Sequence, residues 1–400
     1  MTADELTGRL AGLAVDFGAN LQPGQLLFVQ AEPAHAPLVR AVAAAAYQRG
    51  ATFVDAFYFD PWVKRARIAH APEDTLEFVP PWYSERILAL GEQRCARLWI
   101  TGSSAPGLFD DLDAARAGLD LLPRLKETGT IVNDRTTNWT IVPYPTPAWA
   151  AKVHPDLDGD ALAKLTDELA HVLRLDEPDP VAAWHTRFRD TNSAAARLTE
   201  RRFDALRFHG PGTDLTIGLF PSSRWAAATF ETVDGIEHKP NLPSEEVFTT
   251  PDPQRVDGHV TATKPLVFAD GSVVRGLRIR FEGGRAAQID ADEGVENIRA
   301  RVAKDEGGSF LGEVALVDRE GRIGPLDVVF YDTLLDENAA SHIALGSGFG
   351  FSVDDDGDKR RVNTSGIHID FMIGGDDVDV TAVTRDGDDV PVLRGGAWQT

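Results

Sequence analysis

Cysteine is almost absent from this chain, and long apolar runs are absent altogether. The single cysteine, Cys95, excludes an intrachain disulfide and fits a reducing compartment. No stretch reaches the roughly 18 consecutive apolar residues that a membrane-spanning helix needs, so we expect no membrane association. Asp4, Glu5, Arg9 and Asp16 interrupt any apolar signal-peptide core near the N-terminus. We therefore expect a cytoplasmic protein.

Basic residues are scarce relative to acidic ones. The 400 residues include 40 Lys and Arg against 62 Asp and Glu, for a formal net charge of −22. Because phosphate binding needs clustered positive charge, this balance argues against nucleic acids and anionic membranes as partners. The glycine motifs that bind dinucleotides and the phosphate loop of nucleotide-binding enzymes are also missing. We expect no nucleotide cofactor.

The N-terminal part predicts an open α/β sheet. Its predicted buried strands are Leu26–Gln30, Ala51–Tyr58, Arg97–Gly102 and Gly129–Asn133. A helix from about Ala36 to Arg49 joins the first two, and such a β-α-β unit favours parallel pairing. A second helix is predicted between Asp110 and Glu127.

A change in composition divides the chain near its middle. The acidic, proline-containing segment at Asp176–Pro180 indicates a linker. Alternating, glycine-punctuated segments follow at Phe203–Leu219 and Val273–Ala291, and these predict hairpins. The predicted fold class is α/β: an N-terminal open α/β sheet domain at 1–180, followed by a β-rich α+β domain at 181–400.

The segment Tyr331–Asp370 carries the clearest functional signal. Thr333 and Asp336 fit a capping box, with Thr333 as the N-cap and an acid three residues later. Gly346 fits a helix C-cap. These signals predict a short helix with His342 in its last turn.

The segment GIHIDFMI predicts a strand. Its apolar residues occupy every second position, at Ile367, Ile369, Phe371 and Ile373. His368 and Asp370 then lie side by side on the opposite face, where an imidazole and a carboxylate can both bind a metal ion. The alternative is an ordinary hydrogen-bonded His–Asp pair on an exposed sheet face, because the His-x-Asp pattern also arises by chance.

Two further acids lie upstream in the same half of the chain, Glu246 in NLPSEEVFTTP and Glu313 in GEVALVD. With His342, His368 and Asp370 they supply three carboxylates and two imidazoles. A two-ion hydrolytic site needs such a set, because carboxylates offset the ionic charge and imidazoles fix the geometry. These five residues are the best candidate in the sequence for a metal centre.

Several long motifs in fixed order carry a family resemblance. NLPSEEVFTTP, GEVALVD, TLLDENAASHIALG and NTSGIHIDFMIG resemble the thermophilic aminopeptidase family of dinuclear metallopeptidases. GPGTDLTIGL and YPTPAWAAKVHPD are also similar to that family. The resemblance extends over essentially the whole chain and is dense across residues 203–375.

The resemblance implies a metal-dependent aminopeptidase that removes N-terminal residues from peptides through a water bridging two divalent ions. The matched ligand positions are Glu246, Glu313, His342, His368 and Asp370. The ions would be zinc, cobalt, manganese or magnesium, and residues 181–400 would form the catalytic domain. Glu313 would also shuttle a proton to the leaving amine, although the sequence does not decide between Glu313 and Glu246. The implied partners are peptides with a free N-terminus and a second copy of the chain in a homodimer.

One position departs from the family pattern. The family has a tyrosine seven residues after the histidine that His342 matches, and here that residue is Phe349. In the family this tyrosine donates a hydrogen bond near the reacting carbonyl, and losing one such donor costs about 10²–10³ in rate. The enzyme could therefore be slow, or another donor such as Tyr331 could substitute. The protein could also be a metal-dependent amidase with a non-peptide substrate, or a catalytically weak, metal-bound relative.

Overall fold

The chain forms two compact units. The computed structural model describes residues 1–120, 122–123, 125–157, 159–268 and 272–399. The first unit contains Met1–His185 and Thr229–Pro243, and the second contains Thr186–Ala228 and Ser244–Thr400. The second unit carries all five candidate ligands.

Eight of the twelve α-helices of the described residues, the first eight in chain order, lie in the first unit. The helices of the described chain are α1 (Ala3–Gly12), α2 (Ala36–Gln48), α3 (Pro61–His70), α4 (Pro81–Glu92), α5 (Ala114–Leu119), α6 (Lys126–Asn133), α7 (Pro147–Val153), α8 (Ala161–Val172), α9 (Pro180–Arg201), α10 (Val295–Val302), α11 (Thr333–Asp336) and α12 (Asp356–Lys359). Within the ranges that the structure describes, none of them combines the length and apolar character needed to cross a bilayer.

The strands follow in chain order. They are β1 (Leu26–Ala31), β2 (Phe53–Tyr58), β3 (Ala96–Thr101), β4 (Trp139–Pro143), β5 (Ala205–Gly210), β6 (Thr213–Leu219), β7 (Phe230–Glu231), β8 (Glu237–His238), β9 (Glu246–Thr249), β10 (Pro251–Thr261), β11 (Leu266–Val267), β12 (Val273–Val274), β13 (Arg278–Glu282), β14 (Arg285–Asp290), β15 (Leu311–Val317), β16 (His342–Gly346), β17 (His368–Met372), β18 (Asp379–Val383), β19 (Asp389–Arg394) and β20 (Ala397–Trp398).

The first unit is built around a parallel sheet with the order β2-β1-β3-β4. The prediction of an N-terminal α/β sheet is confirmed, and three of its four predicted strands are present. The fourth prediction is wrong, since Gly129–Asn133 is the end of α6 and the fourth strand is β4. The β-branched residues of that segment suggested a strand, but Ile131 instead packs closely on α4. A side chain at Gly91 of α4 would meet Ile131 Cγ2 at 2.6 Å, so glycine there makes this approach possible.

The second unit is β-rich, as predicted. Eight antiparallel strands form one sheet in the order β14-β13-β10-β6-β5-β18-β19-β20. Both predicted hairpins are present in it, as β5–β6 and β13–β14. The sequence did not predict α9, a helix of 22 residues that begins where the linker was expected. A separate antiparallel sheet, with the order β17-β16-β15-β9, carries the candidate site.

Candidate metal centre

The four-stranded sheet has one apolar face and one ligand-bearing face. Side chains alternate between the two faces of a strand, and one set packs into the hydrophobic core of the second unit. That core set comprises Val247, Val314, Leu316, Ile343, Leu345, Ile369 and Phe371. The five predicted ligands occupy the intervening positions and project from the opposite face. The alternation predicted for His368 and Asp370 is therefore confirmed.

Small residues separate the ligands on this face. Ala344 of β16 pairs with Glu313 on one side and with Asp370 on the other. Gly346 pairs with His368, and its φ of 108° suits only glycine. A side chain at Gly346 would also lie 2.2 Å from the carbonyl oxygen of Ile367. The ligand side chains therefore converge over a stretch of backbone that carries almost no side-chain bulk.

The ligands form two groups that share one carboxylate. Glu246, Glu313 and His342 form the first group, and Glu313, His368 and Asp370 form the second. In each group one ligand atom per residue lies within 4.8 Å of the others. Glu313 therefore lies where it could bridge two ions.

The close contacts within the groups are between imidazole and carboxylate. His342 Nε2 lies 3.0 Å from Glu246 Oε2. His368 Nε2 lies 3.1 Å from Glu313 Oε2 and 3.3 Å from Asp370 Oδ1. Donors that share a tetrahedral ion at bond lengths of about 2.0–2.2 Å lie roughly 3.3–3.6 Å apart. The observed separations of 3.0–3.3 Å are hydrogen-bond distances, and a shift of a few tenths of an ångström would give the spacing around an ion.

Backbone carbonyls orient both imidazoles. His342 Nδ1 lies 3.1 Å from the carbonyl oxygen of Ala340, and His368 Nδ1 lies 2.8 Å from that of Ser347. A carbonyl can only accept, so Nδ1 carries the proton in each ring. Nε2 is then the atom presented to the carboxylates, and an outer contact of this kind fixes the orientation of a metal-binding histidine.

The helix predicted around His342 is wrong. The helix α11 ends at Asp336, a 3₁₀ turn follows at Glu337–Ala339, and His342 is the first residue of β16. Thr333 is not the N-cap, since Asp332 precedes the helix and makes no side-chain cap bond. The two carboxylate oxygens of Asp336 accept from the backbone N–H groups of Phe330 and Asp332, at 2.8 and 3.1 Å. These contacts close a compact turn instead of starting a longer helix.

Burial and mutual repulsion perturb the acids and bases of the site. Burial, together with the charges of Asp370 and Glu246, raises the pKa of Glu313 to about 7, although His368 acts in the opposite direction. Burial alone would lower the pKa of His342, but Glu246, Glu313 and Asp370 outweigh it and raise that pKa to about 10. The pKa of His368 is raised well above its ordinary value because Asp370 and Glu313 outweigh its burial. Positive charge is therefore strongly favoured at this site.

Sequence reasoning missed a fourth acid, Glu337. Burial first, and then the charges of Asp370 and Glu246, raise its pKa well above the ordinary value, whereas His342 acts to lower it. Glu337 therefore lies within electrostatic reach of both groups. The available signal was its position five residues before His342, but the predicted helix gave no reason for that side chain to face the site.

A buried ion cluster supports the strand that carries Glu246. Arg187 Nε lies 2.5 Å from Glu245 Oε2, and Arg187 Nη2 lies 2.9 Å from Asp318 Oδ1. Burial alone would lower the pKa of Arg187, but the charges of Glu245 and Asp318 outweigh it and raise the pKa. The Glu245 N–H also donates to Asn338 Oδ1 at 2.7 Å. Glu245, the residue directly before Glu246, ties the start of β9 to this cluster.

Removing the guanidinium of this cluster should destabilise the protein. The Arg187→Met variant leaves Glu245 and Asp318 buried without their cation, and breaking such a pair costs about 3–5 kcal/mol. We expect that loss in the free energy of unfolding measured with urea. Arg189→Met is the matched control, because Arg189 lies in the same helix, is 70% exposed and lies 4.0 Å from the exposed carboxylate of Asp190. Equal unfolding curves for the two variants would contradict a structural role for Arg187.

Phe349 lies directly beside the ligands. Its ring centroid is 5.2 Å from that of His368, 5.3 Å from that of Phe351 and 5.6 Å from that of Phe248. The Phe349 N–H donates to Thr250 Oγ1 at 2.8 Å. A hydroxyl added to this ring would therefore project from a side chain already in contact with the second ligand group.

The donor set fits divalent metal ions. Three acids and two imidazoles converge on one face of a sheet, where they form the two groups, and Glu337 interacts with them electrostatically. Such an excess of buried carboxylates is costly unless cations neutralise it. Fold and site together define a metallohydrolase.

Comparison with known proteins identifies the family. Residues 3–398 match the model of the thermophilic metalloprotease (M29) family. Aminopeptidase T of Thermus aquaticus is 39% identical over 98% of both chains, and aminopeptidase 2 of Geobacillus stearothermophilus is 35% identical over 98% of this chain and 97% of its own. The solved structure of wild-type AmpT from Thermus thermophilus superposes with a TM-score of 0.91, at 37% identity and 99% coverage of each chain.

The chain belongs to the thermophilic metalloprotease (M29) family. The family resemblance, the fold class and the assignment to peptide-bond hydrolases are thereby confirmed. The prediction of a metal-dependent aminopeptidase is confirmed at the level of this family.

Proposed function

We propose that the protein is a metal-dependent aminopeptidase in which two divalent ions occupy the two ligand groups and share Glu313. The observation that carries this proposal is the presence of Glu313 in both groups. Glu246 and His342 would complete the first site, and His368 and Asp370 would complete the second. The mixed oxygen and nitrogen donors suit zinc, cobalt or manganese, and magnesium to a lesser extent.

Bound here, divalent ions would polarise the scissile carbonyl and acidify a water so that it loses its proton near neutral pH. The protein supplies the proton transfer. Glu313 is buried and is the one carboxylate that belongs to both groups, and we assign it the role of taking a proton and later giving it to the leaving amine. Glu246 is the alternative. Each of the two carboxylates contacts one imidazole, at 3.0 Å for Glu246 and 3.1 Å for Glu313, and Glu313 differs in belonging to both groups.

Recognition of the substrate amine follows from the negative charge of the site. Glu337 belongs to neither ligand group, yet it interacts electrostatically with Glu246, Glu313 and Asp370. We propose that the acidic cluster as a whole, with Glu337 as one member, attracts the positively charged α-amine of the peptide. An amine bound within the cluster would leave the first peptide bond nearest to the ligands.

A comparison of free and blocked substrates tests this function. We expect cleavage of leucine amide and of unblocked dipeptides and no cleavage of N-acetyl-leucine amide, because acetylation removes the charge that the acidic cluster binds. Mass spectrometry of the products would give the released residue directly. Equal cleavage of blocked and unblocked amides would instead support a metal-dependent amidase without N-terminal specificity.

Phe349 favours a second candidate function, that of a protein that binds metal ions but hydrolyses peptides only slowly. The ring partners of Phe349 among the described residues are Phe248, Phe351 and His368, and none of them carries a hydroxyl. This candidate predicts two bound ions per chain with very slow hydrolysis of every peptide.

We also propose a cytoplasmic homodimer of two-domain chains, with an N-terminal domain at 1–180 and a C-terminal domain at 181–400 from which Thr229–Pro243 joins the first unit. Large apolar side chains of the first unit are more than half exposed, namely Phe53, Trp62, Val63, Phe78 and Trp82. These exposed apolar side chains are the candidate contact surface, and a second copy of the chain is the proposed partner. A mass of 43.4 kDa by light scattering, that of one chain, would contradict the dimer.

A further inference from the structure

Three phenylalanine rings border the ligand-bearing face of the sheet. Phe248 follows Glu246 by two residues on β9, so both side chains project from the same face. Phe349 packs against Phe248 and His368. Phe351 stacks on Phe349 with an interplanar angle of 29° and lies 6.2 Å from Phe248. These three rings, which we call the aromatic wall, lie beside ligands of both groups.

The wall is held in place from several sides. Thr250 Oγ1 accepts from the Phe349 N–H, and the Gly348 N–H donates to the carbonyl oxygen of Asn363 at 2.9 Å. The Ser352 carbonyl oxygen accepts from the Arg224 N–H at 2.8 Å. The backbone on both sides of Phe351 is thus fixed, while the Phe351 side chain is 40% exposed. An aromatic surface that is fixed and open to solvent is suited to binding an apolar group.

We propose that the aromatic wall binds the side chain of the substrate's N-terminal residue and gives the enzyme a preference for large apolar residues, phenylalanine and leucine above alanine. This inference rests on the proposed function, because it needs the peptide amine at the ligand cluster. The side chain of an amino acid branches from the carbon directly bonded to that amine. With the amine among the ligands, that side chain lies within a few ångströms of the His368 ring, where Phe349 begins the wall.

Truncation of Phe351 tests the proposal. We expect the Phe351→Ala variant to lose about 3–10-fold in kcat/KM for phenylalanine p-nitroanilide, the factor that one aromatic pair contributes. The value for alanine p-nitroanilide should stay within about two-fold, since a methyl group does not reach the outer ring. The loss should appear in KM and leave kcat unchanged, because the wall binds the ground state and the transition state alike. Phe351→Leu should give an intermediate loss.

The matched control is Leu157→Ala, which removes an apolar side chain of similar exposure, 42%, from the first unit. It should change the kinetics of neither substrate.

A second measurement does not depend on turnover. Calorimetric titration with free L-phenylalanine and L-alanine should give a dissociation constant about 3–10-fold weaker in Phe351→Ala for phenylalanine only.

The outcomes separate this inference from the proposed function. If wild-type protein cleaves both substrates and the ratio of their kcat/KM values is the same in Phe351→Ala, the wall is not the side-chain site although the enzyme is an aminopeptidase. If wild-type protein cleaves neither substrate but binds L-phenylalanine through Phe351, the wall is supported and the activity is not. Absence of both cleavage and binding overturns both.

Discussion

The Glu313→Gln variant is expected to lose about 10³-fold in kcat, because one substitution removes both a shared metal ligand and a proton carrier. Glu313 is the carboxylate common to both ligand groups and also the proposed carrier of the proton. Glutamine keeps the size of the side chain but cannot carry the proton or neutralise a cation. Kinetics with leucine p-nitroanilide, together with bound metal per chain by mass spectrometry, would measure both roles.

Glu320→Gln is the matched control for that loss. Glu320 lies just beyond β15, the strand that carries Glu313, and its side chain is 75% exposed. Its substitution should leave kcat and metal content unchanged. Loss of metal in Glu313→Gln would establish the ligand role, and loss of turnover with full metal content would establish proton transfer. Wild-type turnover with wild-type metal content would remove Glu313 from the mechanism.

Phe349→Tyr is expected to raise kcat by about 10², because it adds a hydrogen-bond donor beside the second ligand group. The new hydroxyl would extend from a ring whose centroid lies 5.2 Å from that of His368. Thr250 is the nearby hydroxyl, but it is already committed to the Phe349 backbone, accepting from the N–H at 2.8 Å. The gain should appear in kcat, since a donor to the reacting carbonyl acts mainly in the transition state.

Phe351→Tyr controls for the addition of a hydroxyl to a phenylalanine ring near the site. It adds the same hydroxyl to the outer, half-exposed ring of the aromatic wall, and no gain in kcat is expected. An unchanged rate in Phe349→Tyr would mean that another group already donates to the carbonyl or that the reaction does not need this donor. Equal gains in both variants would point to a general effect of polarity at the wall.

Much of the site could be predicted from local sequence. Strict alternation in GIHIDFMI placed His368 and Asp370 on one face, and the strand β17 has that arrangement. Alternation alone could not bring Glu246 and Glu313 to the same face, because strand pairing across 67 residues is not encoded locally. Both acids were named as candidate ligands from their residue type, and the family resemblance matched them to ligand positions; the pairing of β9 with β15 brings their strands together.

The two wrong predictions of secondary structure and the missed acid have physical causes. Thr333 and Asp336 imitate a helix start, but Asp336 instead closes a turn through two backbone N–H groups, so His342 falls on a strand. Gly129–Asn133 has β-branched residues typical of a strand, yet Gly91 admits Ile131 against α4 and the segment is helical. Glu337 escaped notice because only the tertiary fold brings its side chain near the ligands. In the last two cases tertiary packing outweighs local preference, whereas Asp336 acts through local contacts that compete with a helix.

The central claim is that activity depends on metal ions held by the two ligand groups. The most direct test removes all metal from the purified protein and follows hydrolysis of leucine p-nitroanilide as zinc, cobalt or manganese is restored in turn. We predict no activity in the stripped protein, recovery with at least one metal at two ions per chain, and no recovery in His342→Ala. Full activity in stripped protein, or recovery undiminished in His342→Ala, would contradict the account.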